Sequence, residues 1–247
     1  MFISNEPSSN FSPRGNNKIK YLILHYTNTQ TISEALQILQ GRREAELELS
    51  AHYLIDERGN VMWLVDEGMQ SWHAKKSYWD GDDDLDKFSI GVSLQNPGHK
   101  YGYKEFPDDQ IRSLIKLCKN IADRNRLLPY YILGDADVNP ENSGPGELFP
   151  WDRLAKEDLG LWYDVKDPDI IRAYENIQYE DKVKDLFVQY GFNPNVDLKQ
   201  IIIAFQRHYE HEVFTKAPDQ IGKANISNLS RLSSLLRQKD ERKPLSI

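Results

Sequence analysis

The 247-residue chain has a single cysteine, Cys118, so no intrachain disulfide can form and cysteine usage fixes no redox compartment. Positive charge is also short: 31 Lys and Arg stand against 38 Asp and Glu, a formal net charge of −7. Binding nucleic acid through bulk charge needs a basic face, so no nucleic-acid partner is expected. No apolar run approaches the roughly 20 residues that cross a bilayer, so no membrane span is expected. The first residues, MFISNEPSSNFSPRG, lack a basic segment followed by an apolar one, so no signal peptide is visible. The expected setting is cytoplasmic, or periplasmic or at the cell envelope if the N-terminus was trimmed or export takes another route. Internal repeats and low-complexity tracts are absent. One local absence stands out: YYILGDADVNPENSGPGELFPW, from Tyr130 to Trp151, contains no histidine, lysine or arginine. It reads as a strand followed by a loop, the place where α/β proteins often collect their chemistry.

What is present suits a soluble globular protein with a sizeable core, at 39% hydrophobic and 28% charged residues. The run Lys18–Tyr26 reads as a central strand covered on both faces. Ile32, Ala35, Leu36 and Leu39 predict a helix from Thr31 to about Arg43. A turn signal, ERGN, separates Ala51–Asp56 from Val61–Val65 and predicts a hairpin. Glu67 to Lys87 reads as a long irregular loop, and Ser89–Gln95 as another strand. Ile111, Leu114, Ile115, Cys118 and Ile121 form one stripe of a helix over Asp108–Arg126, so Cys118 reads as a buried thiol rather than a nucleophile. Tyr130–Leu133 reads as the strand before the opening loop. Residues 1–165 then form a first domain with a mixed central β-sheet flanked by helices, and residues 166–180 a linker. Residues 181–240 form a small three-helix domain, with helical patterns on Val183 to Tyr190, Leu198 to Tyr209 and Leu229 to Leu236, ahead of a frayed tail.

Five stretches occur in the order of a known family: LILHYT (Leu22–Thr27), SAHYLID (Ser50–Asp56), SWHA (Ser71–Ala74), SIGVSLQN (Ser89–Asn96) and GPGELFPW (Gly144–Trp151). With YGF and IIIAFQRHY further on, the chain resembles the zinc-dependent N-acetylmuramoyl-L-alanine amidases of the peptidoglycan-recognition-protein fold. In particular it resembles the bacterial branch with a C-terminal three-helix peptidoglycan-binding domain. The resemblance implies cleavage of the amide between the lactyl group of N-acetylmuramic acid and L-alanine. It also implies zinc on two histidines and an aspartate, a carboxylate general base on the SIG strand, and a loop lysine for the oxyanion.

Carried over by position, that set is broken. His25 keeps the first metal position, Asp135 stands for the second histidine, and Gly144 replaces the third ligand. Ser93 replaces the general-base glutamate, and the loop lysine has no counterpart. Glycine offers no donor, and a serine without an adjacent base cannot do a carboxylate's proton transfer. The resemblance therefore implies recognition of peptidoglycan or a muropeptide without hydrolysis and without a cofactor. One alternative is an active amidase holding zinc on His25, Asp135 and another oxygen, from Asp137 or Glu141. The other is an interaction module with a protein partner.

The candidate groove residues are His73, Trp72, Trp79, Lys75 and His52. His73 is expected to contact glycan or peptide, and His52 to pack beside the site. One or two at most of Trp63, Trp72, Tyr78 and Trp79 are expected to stack on sugar, since buried packing is tryptophan's commoner fate. Lys75 and Lys76 reshape the groove, meet an anionic peptide, or are simply solvated. The acidic run Asp80–Asp86 lacks the spacing of a calcium loop and reads as solvated.

Overall fold

The computed structural model describes residues 3–42 and 48–243. The strands are β1 (Ile3–Asn5), β2 (Phe11–Pro13), β3 (Tyr21–Tyr26), β4 (Tyr53–Ile55), β5 (Val61–Trp63), β6 (Met69–Ser71), β7 (Tyr78–Trp79), β8 (Asp82–Asp83), β9 (Ser89–Leu94) and β10 (Ile132–Gly134). The helices of the first half are α1 (Ile32–Leu39), α2 (Gly98–Tyr101), α3 (Asp108–Asn125), α4 (Asp135–Val138) and α5 (Trp151–Ala155). After them come α6 (Asp167–Asn176), α7 (Glu180–Tyr190), α8 (Leu198–Tyr209), α9 (Val213–Lys216) and α10 (Ile226–Glu241).

Six strands form one mixed sheet in the order β1-β5-β4-β9-β3-β10. The β4–β5 hairpin is its antiparallel pair, and β3 runs parallel to both β9 and β10. Continuous apolar sequence in β3 is explained by cover on both faces. Leu22 and Leu24 pack on the Ile111, Leu114, Cys118 and Ile121 stripe of α3. Tyr21 and Ile23, pointing the other way, share a core with Phe187, Phe205 and Tyr209 of the C-terminal helices. Helix α1 is capped by Thr31, whose side chain accepts from the Glu34 backbone amide, and Ala35 and Leu39 close a smaller core over Leu54 and Met62. No helix among the described residues is long and apolar enough to cross a membrane.

Several elements differ from the sequence reading. The predicted linker 166–180 holds α6, and Asp169 of that helix takes the Arg237 guanidinium of α10 at 3.1 Å. The C-terminal unit thus gains α6 ahead of the three helices the sequence predicts, because "DVKDPD" is a helix start, with Pro168 in the first turn, rather than a hinge. Tyr130 and Tyr131 lie in a 3-10 turn, and the strand begins at Ile132. Helix α1 stops at Leu39, short of Arg43, which lies outside the described residues. The stretch Glu67–Lys87 is not irregular: it carries β6, paired with β2, and the β7–β8 hairpin. The expected frayed tail is helical as far as Glu241.

That hairpin seats the C-terminal helices. Trp79 is buried with its ring edge-on to Tyr190 and Phe192, and Lys239 of α10 donates to Asp80 Oδ1 at 2.9 Å and to Tyr190 O at 2.8 Å. Gly191 ends α7 at φ +147°, and a Cβ there would stand 2.5 Å from the Trp79 ring. Gly191→Ala is therefore expected to destabilise by about 1–3 kcal/mol through overpacking and backbone strain. Urea denaturation would register this as a lower midpoint, and an unchanged midpoint would show that the seat is loose.

Candidate functional site

The carboxyl ends of β9, β3 and β10 open into a groove of about 580 Å³, where open α/β sheets usually bind ligands. His25 and Ser93 face each other across the β3–β9 register, and both side chains line the groove. Asp135 follows β10 directly and begins α4. Its Oδ1 lies 3.5 Å from His25 Nδ1 and accepts from the Asn142 side-chain Nδ2 at 3.0 Å. Gly144 reaches the same point because its carbonyl accepts from the Ala136 amide at 2.8 Å, folding the loop back over α4. The structure therefore gathers His25, Ser93, Asp135 and Gly144 around one groove. The Ser93 hydroxyl, on a residue 5% exposed, has no hydrogen-bond partner among the described residues.

Behind this spot lies a fixed polar wall. His25 Nε2 and His73 Nδ1 are 3.0 Å apart, and His73 Nε2 meets the Ser89 hydroxyl at 3.0 Å. His73 also packs flat against Gly91, where a Cβ would come within 2.4 Å of the ring. Burial, with His25, His52 and Arg14 nearby, holds the His73 imidazole well below its ordinary pKa. His52 is fully enclosed: its Nδ1 accepts from the Gly91 amide at 3.0 Å and its Nε2 meets Met69 O at 3.1 Å. Burial and the adjacent Arg14 charge lower its pKa to about 3.

A buried histidine with a depressed pKa binds fewer protons folded than unfolded, so stability rises with pH between the two values. His52 contributes in full above its unfolded pKa of about 6.5, and the contribution falls away as pH drops towards 3. We expect about 1.4 kcal/mol lost per pH unit in that window from this residue. Urea midpoints recorded from pH 7 to pH 4.5 would check the slope, which should flatten in His52→Gln.

The outer rim joins the groove to the C-terminal helices. Tyr26 hydrogen-bonds to Ser143 Oγ at 3.2 Å and to His99 Nδ1 at 3.1 Å, and His99 Nε2 meets Glu147 at 3.0 Å. Glu147 lies 3.7 Å from Arg207 of α8. One position on, His208 Nδ1 pairs with Asp137 Oδ2 at 2.8 Å, both buried, while the same carboxylate oxygen accepts from the Gly134 amide. Helix α8 thus anchors α4 and the loop after it. The sequence reading passed over Tyr26, Ser143, His99 and His208. Tyr26 and His208 each stand inside a quoted motif beside a residue already singled out, which is the signal that was available.

The groove assignments divide. His73 does line the groove, although only 6% of it is exposed. Trp79 does not: it is the 1%-exposed seat of the C-terminal helices. His52 is fully buried with both ring nitrogens spent on protein atoms, so it braces the wall and does not line the groove, contrary to its expected place among the groove residues. Trp72 donates its indole N–H to Ser12 Oγ at 3.0 Å, and Lys75 is exposed with Glu48 at 3.6 Å; neither lines the groove. Asp137 turns away to His208 and offers no third oxygen, whereas Glu141 lies at the rim. Among the described residues no group of three His, Cys, Asp or Glu side chains is placed to hold a metal ion, and a catalytic zinc needs three protein ligands. The residues present do not fit that ion.

Sheet, groove and C-terminal helices together define a class of known structures. AmpDh3 from Pseudomonas aeruginosa matches with a TM-score of 0.77 at 25% identity, covering 94% of this chain and 95% of that one. The Escherichia coli amidase AmiD, solved with the substrate anhydro-N-acetylmuramic acid-L-Ala-D-γ-Glu-L-Lys, matches at 0.74 and 27% identity, covering 92% and 90%. By sequence, N-acetylmuramoyl-L-alanine amidase AmiD of E. coli K12 is 30% identical over 224 residues, 82% of this chain and 79% of that protein. Residues 15–147 match the family model described as N-acetylmuramoyl-L-alanine amidase. The chain belongs to that family.

Proposed function

We propose that the protein recognises muropeptides or peptidoglycan in the groove at His25 and does not hydrolyse them. The observation that carries this reading is the donor set: His25 remains, but Asp135, Gly144 and Ser93 stand where the family's second histidine, third ligand and general base are implied. Residues of a catalytic set act as one unit, so losing several leaves little beyond binding. The groove itself is open and of a size for a small peptide, which supports retained recognition. The C-terminal helices, by resemblance a peptidoglycan-binding unit, would add a second contact with the wall polymer.

Purified protein with added zinc and a muropeptide is expected to give binding by calorimetry and no released peptide by chromatography. Turnover that disappears in His25→Ala would overturn the reading. One observation favours a second reading, an active amidase with a reorganised site. The 3.5 Å between His25 Nδ1 and Asp135 Oδ1 is close to the roughly 3.3 Å separating two ligands on a tetrahedral zinc. Stoichiometric zinc retained through dialysis would favour that reading.

A further inference from the structure

A second cleft, of about 640 Å³, lies over α3 and shares no lining residue with the groove at His25. The turn of the β4–β5 hairpin, the first half of α3 and the end of α5 build it. The turn is fixed in place. Asp56 Oδ1 accepts from the Arg58 and Asn60 backbone amides at 2.9 and 2.8 Å, and Asn60 Nδ2 donates to Asp56 Oδ2 at 2.8 Å. Gly59 sits at φ +78° against α3, where a Cβ would come within 2.5 Å of Asp109 O. Arg153 of α5 donates to Asp108 Oδ1 at 2.6 Å, and Glu157 takes Lys119, so α5 is tied to α3 at two points. The lining carries five cations, Arg58, Arg112, Lys116, Arg153 and Lys156, against two carboxylates, Asp109 and Glu157. Both carboxylates are already engaged, Asp109 by Arg112 and Glu157 by Lys119. Arg153 and Lys156 are held by Asp108 and Asp152. Arg58 and Lys116 pair with no carboxylate among the described residues, and the Ser113 hydroxyl in the same lining has no hydrogen-bond partner among them. In a chain of net charge −7, this is positive charge gathered without its counterions.

We propose that this cleft is a binding site for a phosphomonoester. Such a group carries about two negative charges near neutral pH and three terminal oxygens, which call for donors from more than one direction. Arg58 offers a planar fork, Lys116 a point charge, and Ser113 a hydroxyl hydrogen. The first comes from the hairpin turn and the other two from α3, elements that Gly59 seats against each other. A carboxylate, with two oxygens in one plane, is served by the arginine fork alone and leaves Lys116 and Ser113 unused. The cleft is larger than one phosphate fills, and Ile115 lies in its wall, so the ester carries a body the size of a sugar or a glycerol. The site is independent of the groove and stands whether or not the groove recognises muropeptides.

Calorimetry on the full chain at pH 7, with glucose 6-phosphate and glucose as probes, tests this beside sedimentation with vesicles of phosphatidylcholine, with and without phosphatidic acid. Glucose 6-phosphate is expected to bind and glucose not to. Arg58→Gln and Lys116→Gln are each expected to weaken binding about tenfold or more, the effect of one hydrogen bond to a charged group. Lys223→Gln removes an exposed cation outside the cleft and is expected to change nothing, with circular dichroism the same for all three variants. Binding should persist at about 150 mM salt, where attraction between exposed charges is largely screened. If only vesicles with phosphatidic acid bind, and Arg58→Gln releases them, the phosphomonoester is a lipid headgroup and the proposal stands. Loss of binding at that salt, or equal weakening by Lys223→Gln, would reduce the cleft to a patch of diffuse charge and overturn the proposal. It also falls if neither the sugar phosphate nor the vesicles bind.

Discussion

Arg14→Met is expected to cost about 3–5 kcal/mol of folding stability, the range for removing one side of a buried charged network. The Arg14 side chain is almost wholly enclosed, and burial lowers its pKa despite Glu67 and Asp86 nearby. Its guanidinium donates to five backbone carbonyls: Glu67, Asp86, Lys87, Met69 and Ser89. Those carbonyls come from two segments, Glu67–Met69 at the start of β6 and Asp86–Ser89 from the 3-10 turn into β9. Among the described residues no strand pairing ties these two segments to each other, so the planar fork of donors does. Removing it strands several carbonyls, at about 1–3 kcal/mol for each one that water cannot reach. Arg14→Lys keeps the charge but not the fork, and should recover less than half of the loss. Chemical denaturation gives the number directly. A loss under about 1 kcal/mol for the methionine variant would show that the segments hold each other without the arginine.

The second large effect is a gain. Ser93→Glu, Asp135→His and Gly144→Asp, combined, are expected to raise bound zinc from near none to near one per chain and to produce detectable muropeptide cleavage. The backbone permits this. A Cβ at Gly144 meets nothing nearer than Asp135 at 3.4 Å and the Tyr26 amide at 3.5 Å, ordinary contact distances, and its φ is not in the left-handed region. Position 93 already faces the groove beside His25. Restoring three ligands and a base should change zinc affinity by far more than the roughly 10–100-fold that outer supporting groups contribute. Turnover should remain modest, because no lysine in the loop balances the developing oxyanion. Metal analysis after dialysis is the decisive measurement. A folded triple variant with no more zinc than the parent would show that the loop, and not just its side chains, has left the metal-binding geometry.

The sheet and the main helices were legible because their patterns are long. The unbroken apolar run of β3 and the stripe of α3 each repeat over enough residues to exclude the other period. Short elements were not. The β7–β8 hairpin has two residues per strand, and its acidic sequence conceals that Trp79 is a core anchor. Helix α6 was hidden by proline and aspartate, residues that start a helix as readily as they mark a linker. At the site, ordered motifs located His25, Ser93, Asp135 and Gly144. They did not separate residues that line the groove from those that brace it: His52 and His73 look alike in sequence, yet only His73 reaches the groove.

Composition, apolar period and motif order were enough to establish a mixed sheet flanked by helices and an amidase ancestry, since these depend on which residues are present and in what order. Proton placement was beyond their reach. The proton on His73 Nε2 depends on Ser89 giving its hydrogen to Leu85, and the hold of α8 on the loop depends on Asp137 meeting His208, 71 positions away. Hydrogen-bond direction and long-range pairing arise only when distant segments pack, and the chain folds those segments together without any local pattern to announce it.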